Sequence, residues 1–162
     1  MSLIQLLEEE LHREAASTRR IIEIIPEAKL AWRPHAKSMS LGQLALHLAG
    51  MPEAVASMLS SSSHEVPTVP LPEAESVSEI MALLERSTTA AASQIREWSD
   101  NDLQQNFNWT LEGASIASTS RYEQVRSTLL NHCYHHRGQL TVYLRLLDVP
   151  IPGIYGPSAD EQ

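Results

Sequence analysis

His132 and His136 stand four residues apart in the run His132-Cys133-Tyr134-His135-His136-Arg137-Gly138-Gln139. On an α-helix that spacing sends both imidazoles off the same face, one turn above each other, where they can share one metal ion. Two imidazoles leave a first-row metal under-coordinated, so a third donor must come from another element. His47, between Leu44 and Met51 in a second helical stretch, supplies one. Three histidines are the ligand count of a catalytic zinc site that keeps a position open.

The remaining histidines argue less for chemistry. His132 and His135 form an i, i+3 alternative, but His135 shares its face with Thr128, Asn131, Gly138 and Val142, a mixed row that looks less buried. The pair 132/136 is favoured, and His135 reads as a rim residue or a group supporting the ligands. His12 falls with Glu8 and Arg19 on a polar face, while His35 and His64 lie in connectors. Cys133 points about 100° away from His132 on a helix and reads as a small buried side chain rather than a reactive thiol. Glu53, six residues after His47, faces another way and is not counted as a ligand.

Four helical stretches are available to position these groups. Ile4, Leu7, Leu11, Ala15, Thr18, Ile22 and Ile25 recur at spacings of three and four, which predicts a first helix from about Leu3 to Ile25, ended by Pro26. Ser40-Leu41-Gly42-Gln43 has the form of a capping box and opens a second helix to about Leu59, with a kink or early end expected at Pro52. Ser60 to Pro72 holds four consecutive serines and three prolines and reads as a loop. A third helix follows Ser76 and runs to Trp98. Residues 102 to 119 lack a helical period and predict an ordered crossover with a short hairpin. A fourth helix follows Ser120 through Val125, Leu129, His132, His136, Leu140, Tyr143 and Leu147. On that stripe the two histidines occupy positions where leucine would be expected. Burying two unsatisfied imidazoles would cost on the order of 1–3 kcal/mol each, which a metal removes. The expected architecture is an all-α four-helix bundle with a long crossover between helices 3 and 4.

Composition agrees with one compact domain over residues 1–162. The 43% apolar share suffices for one core, and 5% aromatic residues suit helix packing better than a β-sandwich. The formal charge is −8 and the 12 Lys and Arg are scattered, which argues against nucleic-acid binding. The start of the chain carries no basic leader and no apolar run long enough to span a membrane, so a cytoplasmic protein without membrane association is expected. A single cysteine excludes an intrachain disulfide.

Three pieces of the chain resemble the DinB/YfiT-like superfamily of metal-dependent bundle proteins: Trp32-Arg33-Pro34 followed by Ser40 to His47, the His132 to Gln139 run, and the tail from Pro150-Ile151-Pro152 to Tyr155-Gly156. The resemblance implies a divalent metal, zinc or nickel, on His47, His132 and His136. It also implies a homodimer and, for members with a defined activity, transfer or isomerisation using a low-molecular-weight thiol such as bacillithiol or mycothiol. The expected function is a metal-dependent thiol transferase or hydrolase acting on a small electrophilic substrate. Trp32, Trp109 and Tyr143 are candidate pocket residues, and the 60–72 connector is placed to gate the mouth. The alternative is a non-catalytic stress-response or small-ligand-binding module with a structural metal.

Overall fold

The computed structural model describes residues 2–68 and 71–161. Helix α1 (Leu3–Ile22) starts at a reciprocal capping box, in which Ser2 Oγ accepts from the Gln5 amide and Gln5 Oε1 accepts from the Ser2 amide. It ends three residues short of Ile25, because the residue before a proline is pushed out of the helical region. Helix α2 (Leu41–Leu59) is capped by Ser40 and Gln43 in the same way, as its sequence predicts.

No break occurs in α2 at Pro52. Proline removes one donor from the ladder, and the next amide, that of Glu53, donates to the buried Ser87 Oγ at 2.9 Å. The neighbouring helix therefore contributes a partner where the ladder is weakest. That neighbour is α3 (Val77–Arg96), capped by Ser76, and it packs against both α1 and α2.

The last helical stretch is composite. It comprises α5 (Arg121–Gln124), a π-helical segment (Val125–Asn131) and α6 (His132–Leu146), which packs on α2 and α1. The buried core is continuous across these elements, from Leu7 and Ile21 through Leu44, Leu48, Ile80 and Ile95 to Leu129, Leu140 and Leu144. Among the described residues no helix is long and apolar enough to cross a membrane.

The all-α expectation requires correction. The molecule is mostly helical but carries a three-stranded sheet and a short helix α4 (Asp100–Gln104) in the crossover. Strands β2 (Asn106–Leu111) and β3 (Ala114–Ser120) pair antiparallel around Glu112 and Gly113, both with positive φ, the two-residue geometry that matches strand twist. The expected hairpin is thus present. The third strand, β1 (Ser63–Glu65), comes from the serine-rich stretch read as loop and pairs parallel to β2. Three residues are too few for an alternating pattern to show, and their partner lies over forty residues away.

Arg121 locks the sheet end to the helices. Its buried guanidinium donates to the carbonyls of Leu59 (2.7 Å), Asp102 (2.6 Å) and Ser61 (3.3 Å) and lies over the Trp98 ring. The end of α2, the middle of α4 and the start of α5 are tied together by this one side chain.

Candidate metal centre

His47 leaves α2 toward α6, and His132 and His136 leave α6 toward α2. One donor atom from each of the three lies within 4.8 Å of the others, two of the residues half-buried and His136 buried. The Nε2 atoms of His132 and His136 are 2.8 Å apart. The ring centres of His47 lie 5.9 Å from His132 and 4.8 Å from His136.

The outer nitrogens decide what the inner ones can do. His136 Nδ1 bonds to Gln139 Oε1 at 2.8 Å, and because a carbonyl oxygen only accepts, Nδ1 carries the proton and Nε2 a lone pair. His132 Nε2 faces that lone pair at 2.8 Å, so the two nitrogens share one proton when no cation is bound. A cation placed between the two nitrogens takes the place of that proton and turns the hydrogen bond into ligation. All three rings are held neutral: burial is the largest influence on each, pushing His136 down to about 4 and His47 and His132 below the ordinary histidine value. Neutral imidazoles with inward lone pairs fit a divalent metal. Among the described residues no further His, Cys, Asp or Glu joins the group.

On one side the histidines open to a cavity of about 810 Å³, with His47 and His132 in its wall. Trp109 lines it, as do residues 66–68 and 71–72 of the connector; residues 69 and 70 of that connector lie outside the described residues. Trp32 and Tyr143 are not in this wall. They pack edge to face on each other at 5.8 Å, with the Tyr143 hydroxyl donating to the Met39 carbonyl. His135 is exposed, its ring 5.1 Å from that of His136. Cys133 is buried against Met51, and burial pushes its thiol up to about 12.

A hydrogen-bonded chain joins the sheet to the site. Trp109 Nε1 donates to Gln124 Oε1, which also accepts from Thr128 Oγ1, and Thr128 shares the cavity wall with His132, one turn further on. Gln124 and Gln139 escape sequence reasoning because either amide reads as ordinary helix surface. For Gln139 the signal is its i+3 place after His136.

Arg137 also escapes it. The residue is 3% exposed and donates to the Glu14 carboxylate (2.6 Å) and carbonyl (3.0 Å) on α1, while the Tyr155 hydroxyl of the tail donates to the same carboxylate at 2.6 Å. The buried residues of α6 are Cys133, His136, Arg137, Leu140 and Leu144, with His132 half-buried. His136 is thus part of the buried set, while His132, one turn earlier, reaches the cavity wall.

Comparison with known proteins places this geometry in a family. The sequence model of the DinB family matches residues 1–162. YrdA of Bacillus subtilis (strain 168), itself uncharacterised, is 25% identical over 151 residues, covering 91% of this chain and 85% of that protein. A crystal structure of a DinB-like protein from Bacillus cereus ATCC 10987 superposes with a TM-score of 0.74 at 24% identity, covering 92% of this chain and 95% of the other. A DinB-like protein from Bacillus subtilis does so with a TM-score of 0.68 at 14% identity, covering 97% and 99%. At these identities the structural likeness establishes the fold.

Proposed function

The chain belongs to the DinB family along its whole length, and from that premise we propose that His47, His132 and His136 hold a divalent metal, zinc or nickel, for catalysis on a small electrophilic substrate. The observation that carries the reading is the pairing of an inward-facing, neutral three-histidine set with an adjoining cavity of about 810 Å³. A bound metal would supply Lewis acidity, lowering the pKa of water to about 7 or ionising a thiol.

The chain's own residues do the rest. Gln139 holds the outer ring proton of His136 and so aims its inner lone pair. Burial keeps the rings unprotonated at neutral pH. The cavity wall beside His47 and His132 orients what enters. Together these features suit a thiol transferase or hydrolase, with a low-molecular-weight thiol or water as the nucleophile. A non-catalytic module with a structural metal would instead close its site with a fourth protein ligand, and the donor set among the described residues stops at three.

Metal analysis of untagged protein, followed by turnover assays with a panel of thiols and electrophilic substrates, tests the proposal. One metal per chain and activity abolished in His136→Ala are expected. A metal-free protein, or activity unchanged in that variant, refutes it.

A further inference from the structure

The wall of the cavity beyond the histidines determines which molecules can reach them. Leu46, Met51, Met58, Val66, Trp109 and Ile116 are among its apolar residues, and no Asp, Glu, Lys or Arg is among the described lining residues. The polar side chains in the wall are largely engaged. Gln43 accepts from the Ser40 amide and donates to the Leu71 carbonyl, and Thr128 donates to Gln124. Trp109 has already given its indole N–H to Gln124 and offers the cavity only its ring. A carboxylate or ammonium entering this space gives up part of its water and meets no counter-charge, which disfavours it. An apolar body gains free energy with each square ångström it buries, and the two methionines adapt to its shape.

We propose that this cavity binds a neutral, predominantly apolar small molecule, with its one polar group directed to the His47 and His132 end, and excludes anionic and zwitterionic ones. The size is that of ordinary small-molecule sites. In the reaction proposed above, the cavity seats the electrophile and not a charged thiol. That assignment as substrate rests on the metal-centre reading, whereas the binding itself does not.

Two fluorophores with the same aromatic body separate the cases: neutral N-phenyl-1-naphthylamine and its sulfonate, 8-anilino-1-naphthalenesulfonate, titrated into the full chain with and without zinc. The neutral probe is expected to saturate at one per chain and the sulfonate to bind about tenfold more weakly. Ala54→Phe, at an exposed α2 position in the wall, should weaken the neutral probe about tenfold while leaving the thermal melt unchanged. Ile116→Lys, at a β3 position 56% exposed, should narrow or reverse the preference between probes. Equal or tighter binding of the sulfonate to the native chain overturns the inference, as does an unchanged probe preference and affinity in both variants. Neutral-probe binding by a chain that takes up no zinc would uphold the cavity and refute the metal centre. Zinc uptake without probe binding would do the reverse.

Discussion

Replacing Gln139 by methionine keeps the length of the side chain and removes the oxygen that accepts the His136 Nδ1 proton at 2.8 Å. Two things are then lost. The ring is free to take the other tautomer, which puts a proton on the nitrogen that must ligate, and it is free to rotate away from His132. An ordinary hydrogen bond at a half-exposed position contributes about 0.5–1.5 kcal/mol to stability, so the fold should hardly notice. Metal affinity should fall further, by about 10- to 100-fold, or roughly 1.4–2.7 kcal/mol, the usual cost of removing a partner behind a ligating histidine. Gln139→Glu has the opposite sign, since a carboxylate makes the ring a better donor, and should match or exceed the native affinity. Competition for zinc against a chromogenic chelator measures both. A Gln139→Met affinity within about threefold of native would refute the argument. Equal losses in the two variants would show that the shape of the amide matters and not its oxygen.

Arg137→Met should destabilise by about 3–5 kcal/mol, because Glu14 stays buried without its cation. For a chain of this length that lowers the melting temperature by about 6–20 °C, and a smaller drop by circular dichroism would contradict the packing. Cys133, its thiol pushed up to about 12 by burial, should react with Ellman's reagent at pH 8 only after denaturation; rapid labelling of the native protein would refute this. Metal-free protein should lose stability as pH falls from about 6.5 toward 4. The folded-state pKa of His136, and those of His47 and His132, lie below the unfolded value, so the contribution is complete above about 6.5 and disappears on acidification. The rise in melting temperature on adding zinc should shrink over the same window, because ligands must be deprotonated; thermal melts at stepped pH check both effects.

Local signals made the helices and the histidines legible in the sequence. Ser40 with Gln43 and Ser120 with Glu123 mark helix starts within a few residues, and the observed caps use those side chains. The spacing of His132 and His136 needs no tertiary information, and His47 stands out because it interrupts an apolar stripe. What stayed hidden depends on distant partners. Arg137 reads as surface because its counter-ion, Glu14, lies 123 residues away in sequence. Strand β1 exists only through its pairing with β2. The apolar stripe of the last helix predicts the burial of Val125, Leu129, His136 and Leu140, but not the π-helical winding of residues 125–131 or the burial of Cys133, Arg137 and Leu144 beside them.

That π segment has a consequence for which mutations the chain can accept. A π turn is an α-helix with one surplus residue, so it shifts the angular phase of everything after it by about 100°. Upstream, Arg121 is clamped to the Leu59 carbonyl; downstream, Arg137 is clamped to Glu14. With both ends held, the surplus residue is the phase offset that lets the sheet end and the histidine face be correct at once. Substitution of the exposed Ser127 leaves that offset in place, whereas its deletion would restore regular winding and force one clamp or the other out of register. Here the count of residues, more than their identity, is what the site depends on.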